Sequence, residues 1–252
     1  MGSYSFSMKK VSQPGKTRLN QSFSEGQTLE MPFRAFGPFL IVSFGLAWSI
    51  LGLYVFLGDW MKAWFGPLTG NHPLFFLAVY SPAIAAFVLV LRNGGTRGLR
   101  GFLSRALLWR CSAPWYAFLL LGVPLIFIVG SGLRGNLLTE AFPFPSVFAG
   151  LAAVLLAVIK GPVEEFGWRG LALPLLQRKF VPFWAGLVLG VIWALWHLPA
   201  FLLSGTQQSQ WSFGAFFAGC LAISMISTAL FNRSKGSILL SAFFHFSLIL
   251  DS

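Results

Sequence analysis

After its first 33 residues the chain alternates long apolar runs with short polar connections. The runs fall at 38–57, 73–91, 114–133, 145–165, 183–203, 213–231 and 237–250. Most approach the ~20 residues that carry a helix across ~30 Å of hydrocarbon. The expected fold is therefore all-α, a polytopic transmembrane bundle of about seven spans, with six to eight as the range. The last run is short, because its 14 residues rise only ~21 Å at ~1.5 Å each. Residues 1–33 are rich in Ser, Gln, Gly and Lys and hold no apolar stretch of signal-peptide length. They read as a disordered cytoplasmic tail ahead of a transmembrane domain at 34–252.

Composition agrees with that pattern. A chain that is 56% hydrophobic and 10% charged has lipid for its solvent. The net charge of +11 would suggest nucleic acid in a soluble protein. Here the cations cluster between apolar runs, which suits anionic headgroups and topology signalling. Membrane lipids are thus expected partners and nucleic acid is not. Cys111 and Cys220 form no CxxC pair, so neither a disulfide framework nor a thiolate metal site is expected. Trp60, Trp64, Trp109, Trp115 and Trp211 lie near run boundaries and read as interfacial anchors. The stretch from Arg92 to Arg110, with Gly94, Gly95, Gly98 and Gly101 interspersed, reads as a cytoplasmic connector in preference to an amphipathic surface helix.

Connections rich in Lys and Arg stay in the cytoplasm. The tail carries Lys9, Lys10, Lys16, Arg18 and Arg34, and the second connection Arg92, Arg97, Arg100, Arg105 and Arg110. Arg169, Arg178 and Lys179 follow the fourth run, and Arg233 and Lys235 the sixth. The intervening connections hold only Lys62, Arg134 and nothing. The amino terminus is expected inside, and the membrane a bacterial plasma membrane.

Only seven acidic residues occur, and two of them are adjacent in Glu164-Glu165-Phe166-Gly167-Trp168-Arg169. Charge at membrane depth costs several kcal/mol and marks a site. The alternation puts this pair at the cytoplasmic end of the fourth span, so a site built there is expected to open toward the cytoplasm. At ~100° per residue, Glu165 and Arg169 share a helix face while Glu164 and Arg169 lie about 140° apart. Glu165 is then the partner of Arg169, and Glu164 the carboxylate left to take and return protons. His197, one turn after Trp193, and His245 also lie in apolar runs. Taken singly, each reads as a packing histidine, and the charged trio as an interfacial ion cluster. His72, beside Pro73 in a connection, carries no functional signal. Three deep polar groups on three different runs tip the balance toward chemistry.

The order EExxxR, then aromatic-xxx-His, then a His in the last apolar run resembles the CPBP intramembrane protease family, also called the CAAX protease or Abi family. That family includes endopeptidases that trim prenylated proteins. The resemblance covers 160–252, the expected catalytic core. It implies that Glu164 activates water, that Glu165 and Arg169 brace the motif, that His197 helps orient the water, and that His245 helps stabilise the oxyanion. Trp193 stands where the family often has Phe. A further departure is Ile249, because the family's third motif usually continues His-xxx-Asn. Ser247 is about 160° and Asp251 about 120° off the His245 face, so neither replaces the missing donor.

Glu164, His197 and His245 would also make up a catalytic Zn2+ ligand set. HExxH is absent, however, and a carboxylate with two imidazoles can run water attack without metal, so no cofactor is favoured. The expected function is an intramembrane endopeptidase acting on a membrane-bound or lipidated peptide. The alternatives are a catalytically silent scaffold, motivated by Ile249, and a proton-coupled transporter, for which no internal duplication is found.

Overall fold

The computed structural model describes residues 31–135 and 146–250. The tail expected at 1–33 falls almost wholly outside the described residues, as do position 145 and Asp251. Within them the chain is helical, with no strand. The helix α1 (Phe36–Phe56) is followed by a short α2 (Gly58–Phe65). Next come α3 (Pro73–Val79) and α4 (Ser81–Ser104). His72 caps α3 by accepting the Leu74 amide on Nδ1 at 3.1 Å while its Nε2 donates to the Phe65 carbonyl at 2.8 Å. Pro73 then supplies a first helical residue with no amide to satisfy. The histidine without a functional signal is thus a structural cap.

Five described stretches are long and apolar enough to cross a membrane: Phe33–Phe56, Ala113–Leu133 (α5), Val147–Leu176, Pro182–Leu202 and Phe213–Arg233. The α3–α4 pair, bent by 54°, adds a sixth if counted as one broken span. All seven runs are helical. The last, however, is only 13 residues long, ~20 Å of rise, and falls short of a full crossing. Through the Arg-rich stretch α4 continues to Ser104, kinking at Gly95 (φ 57°), a left-handed backbone that glycine adopts without penalty.

The fourth stretch departs most from expectation. It consists of α6 (Val147–Lys160) and, after a three-residue break, α7 (164–176). In α7 a turn at Glu164–Gly167 leads into a π-helical turn at Trp168–Ala172 and a last turn at Leu173–Leu176. The fourth stretch therefore runs 11 residues beyond Glu165, and the glutamates sit within it, at the start of α7, and not at its carboxyl-terminal end. Arg169 is fully buried and is not one of the connecting cations that set topology. Around α7 pack α4, α8 (Pro182–Trp196), α9 (Phe213–Arg233) and α10 (Ile238–Leu250).

Polarity is arranged for lipid. Leu120, Leu121 and Ile126 of α5 and Phe148, Leu151 and Leu155 of α6 face outward, while the charged residues of α7 face in. Small residues let the inner helices approach. Gly186 and Gly190 of α8 lie against Thr228 and Leu221 of α9, and Ser224 donates to the Gly186 carbonyl at 2.8 Å.

Arg105 fastens one end of the bundle. It donates to the Gly170 carbonyl at 2.8 Å and the Gly236 carbonyl at 3.1 Å, and Ser237 donates to the Leu108 carbonyl. The 105–112, 177–181 and 234–237 connections therefore share that end. At the opposite end the 66–72 and 203–212 connections meet, with Gly205 directly on the Leu68 carbonyl.

Gly167 faces Pro82 so closely that a Cβ there would lie 2.5 Å from the Pro82 backbone carbon and oxygen. Gly167→Ala should cost about 1–3 kcal/mol, read as a lowered thermal midpoint in detergent. Gly45→Ala, whose Cβ would meet nothing within 4 Å, should not lower it.

Candidate active site

Glu164, His197 and His245 line a single cavity of about 310 Å³, so the residues singled out on three runs do converge. The charged motif is buried inside the bundle: Glu164 is 4%, Glu165 1% and Arg169 0% exposed.

The adjacent glutamates face different surroundings, as their angular separation demands. On one side, Glu165 Oε1 accepts from Arg169 Nη1 at 2.9 Å, the i,i+4 pair read from the spacing. The same oxygen accepts from His245 Nδ1 at 2.8 Å. Because a carboxylate only accepts here, Nδ1 carries the proton and Nε2 is left for the cavity. Arg169 also lies over the Trp193 ring at 5.0 Å, a favourable cation–π arrangement.

On the other side, Glu164 Oε2 accepts from two indoles, Trp193 Nε1 at 3.0 Å and Trp168 Nε1 at 3.2 Å. Both donors converge on one oxygen, which leaves Oε1 for the cavity. Trp193 is thus a direct partner of the carboxylate. Trp168 went unnoticed, although its i,i+4 spacing from Glu164 is the same signal that revealed Glu165 and Arg169. His197 follows the last residue of α8, where its Nδ1 donates to the Trp193 carbonyl at 2.8 Å. This fixes the tautomer with Nε2 as an acceptor.

Gly161 allows α6 and α10 to meet. A Cβ there would lie 1.9 Å from Ile249 Cδ1 and 3.0 Å from His245 Nε2. Ile249 lines the cavity one turn beyond His245, so the position that lacks a polar group does face the site. Ser247 is spent on the Phe243 carbonyl at 2.8 Å and offers no substitute. Trp211, expected as an interfacial anchor, lines the cavity and stacks on Phe216.

The three donors do not form a metal site in this arrangement. The Trp193 indole makes edge contacts with both imidazoles, at 5.6 Å to His197 and 5.4 Å to His245. Among the described residues no three His, Cys, Asp or Glu side chains are placed to hold a metal ion.

The cavity is lined from the end where the 66–72 and 203–212 connections meet, through Gly70, Gln207, Gln208 and Trp211. Lys160 joins that lining and donates to Asn71 Oδ1 at 2.8 Å.

Residues 143–248 match the family described as "Type II CAAX prenyl endopeptidase Rce1-like". The chain is also similar to CAAX prenyl protease 2 of Methanococcus maripaludis, 30% identical over 141 residues, which make up 54% of this chain and 51% of that protein. The chain thus spans about half the length of that relative.

The two glutamates should fail differently when changed. Glu165→Ala leaves the buried Arg169 uncompensated and should cost about 3–5 kcal/mol, enough to reduce folded yield and thermal midpoint. Glu164→Gln keeps an oxygen for the indole donors and should purify with a near wild-type midpoint. Denaturation in detergent with size-exclusion profiles checks both.

Proposed function

We propose that this chain, whose residues 143–248 match the type II CAAX prenyl endopeptidase (Rce1-like) family, hydrolyses a peptide bond of a membrane-bound or lipidated substrate using water activated by Glu164. The observation that carries the reading is the division of labour between the two adjacent carboxylates. Glu165 is committed to Arg169 and His245, while Glu164 has no cationic partner among the described residues and keeps one oxygen toward the cavity.

In this mechanism a water lies between Glu164 Oε1 and the acceptor Nε2 of His197. Glu164 takes its proton as the oxygen attacks the scissile carbonyl carbon. The tetrahedral oxyanion meets His245, which donates from Nε2 as an imidazolium with Glu165 as its counter-ion. Collapse breaks the C–N bond, and the proton held by Glu164 passes to the leaving nitrogen, giving a carboxylic acid and an amine. Trp168 and Trp193 hold the Glu164 carboxylate in place by donating to its other oxygen. Ile249 supplies no second oxyanion donor, and this one observation supports the alternative of a catalytically silent scaffold.

The cations at 92–110, 178–179 and 233–235 assign one end of the bundle to the cytoplasm, and the cavity is lined from the other. The proposed site therefore draws water from the non-cytoplasmic end. A span that ended at 165 led to the opposite expectation, a cytoplasmic opening; that α7 carries the chain 11 residues beyond Glu165 is what supports the non-cytoplasmic reading proposed here.

Detergent-purified protein is expected to cleave fluorogenic prenylated peptides, and Glu164→Gln to reduce turnover by ~10²- to 10⁴-fold without a chelator having an effect on wild type. A folded wild type that cleaves neither prenylated nor unprenylated peptides would favour the silent scaffold. For sidedness, single cysteines at Gln208 and Lys235 in a background free of Cys111 and Cys220 are probed on intact cells with an impermeant maleimide. Labelling is expected at 208 and not at 235, and the reverse pattern would return the opening to the cytoplasm.

A further inference from the structure

The Arg105 end of the bundle holds a second cavity, of about 70 Å³, between α4 and α7. It shares no lining residue with the cavity of Glu164. Phe102, Leu171 and Leu175 form apolar walls, and Arg105 and Arg178 bring two guanidiniums to it. Among the described residues no Asp or Glu lines it. The lack of negative charge extends to the whole of that end. The described acidic residues are Asp59, Glu164 and Glu165. Asp59 belongs to α2, at the opposite end, where Tyr54 donates to the Gly66 carbonyl at 3.2 Å. The two glutamates are buried inside the bundle.

Arg105 is held on several sides. Besides the Gly170 and Gly236 carbonyls, it donates to the Arg169 carbonyl at 3.4 Å. Its guanidinium carbon lies over the Phe231 ring at 5.3 Å and the Phe102 ring at 5.9 Å. A guanidinium has five N–H donors, and these bonds use three. Arg178 is exposed, so one arginine is built into the bundle and the other stands at its surface. Leu103 and Phe180, each two residues from one of these arginines, are exposed apolar side chains.

We propose that this cavity binds the phosphate of an anionic phospholipid, with Arg105 and Arg178 as its ligands and the lipid's apolar part against the surface beside Leu103 and Phe180. Two guanidiniums brought to one small cavity repel each other unless an anion lies with them, and their planar donors match phosphate oxygens. Basic pockets between membrane helices take headgroups in this way. The cavity is too small for an acyl chain, which stays outside against the exposed apolar residues. A free phosphate offers the same oxygens and has no apolar part to use that surface. The proposal does not depend on the protease reading.

The test uses the full chain in detergent micelles, with phosphatidylglycerol or phosphatidylcholine titrated in and the first bound lipid quantified by native mass spectrometry. Phosphatidylglycerol should bind about 10- to 100-fold more tightly than phosphatidylcholine, the range of a hydrogen bond to a charged group. Arg105 is left intact because it joins the connections at its end. Arg178→Gln should reduce the preference to about threefold or less, and Arg178→Lys, which keeps the charge, should retain more of it. The double variant Arg97→Gln/Arg100→Gln removes two exposed charges that do not line the cavity, and should keep the preference. Equal binding of the two lipids by wild type, or a preference that survives Arg178→Gln, overturns the proposal. Loss of the preference to the same extent in the double variant points to a diffuse basic surface and also overturns it. Inorganic phosphate that displaces phosphatidylglycerol at equal concentration assigns the cavity to the free anion and overturns the lipid assignment.

Discussion

The site depends on the carboxylate of Glu165. One of its oxygens accepts from both Arg169 and His245, joining α7 to α10 inside a bundle whose outer surface is apolar. A buried pair of this kind adds little net stability, since desolvation offsets most of the attraction. Its consequence is positional. With Nδ1 held by Glu165, the His245 ring can turn in only one way, and its other nitrogen faces the cavity. With one nitrogen of Arg169 held, the guanidinium lies over the Trp193 ring, and Trp193 in turn presents its indole N–H to Glu164. A single carboxylate thus sets the placement of a histidine, an arginine and the neighbouring carboxylate's main hydrogen-bond donor.

Adjacent residues on a helix point about 100° apart, and that rotation separates the two glutamates by environment. One looks into a closed ionic cluster and the other into a cavity with indole donors. Chemistry needs the second kind of group, because a carboxylate already neutralised by arginine has little capacity left to take a proton from water. The π-helical turn at Trp168–Ala172 lies immediately after the motif. Such a turn frees a backbone carbonyl from the regular ladder, and Arg105 takes up the one at Gly170. The irregular helix that carries the motif is therefore braced from outside the motif, by a cation that hydropathy alone would count only as a topology signal.

Much of this was legible in the sequence, for physical reasons. Apolar runs become helices in lipid because no other backbone arrangement within one run satisfies its own amides, so the all-helical fold was legible. The Glu165–Arg169 pair followed from helix periodicity alone. What escaped was of two kinds. Some features were local but masked by charge: the fourth run was ended at Glu165 because charges follow it, yet Arg169 is neutralised one turn away and the helix continues to Leu176. Others were tertiary. That Trp193 turns its N–H toward Glu164, that Asn71 meets Lys160, or that Trp211 lines the cavity depends on how α8 and two distant connections pack together, and no period in the sequence encodes that.

A hydrolytic site in lipid must reconcile two demands: the reacting carboxylate has to be shielded enough to bind an apolar substrate, and water has to reach it. The bundle meets them from different directions. Outward-facing leucines, isoleucines and phenylalanines on α5 and α6 give the substrate's apolar part a surface that costs nothing to approach from the bilayer. Beyond Glu164, His197 and His245 themselves, the charged and amide side chains of the lining are Lys160, Gln207 and Gln208, near the end where the 66–72 and 203–212 connections meet, and this is the path along which water can be hydrogen-bonded toward Glu164. The short α10 fits the same arrangement. The helix begins beside Arg105 and brings His245 two turns inward, and Ile249 one turn further on lines the cavity. Depth in the membrane, and not proximity to a loop, therefore sets which carboxylate meets both substrate and water.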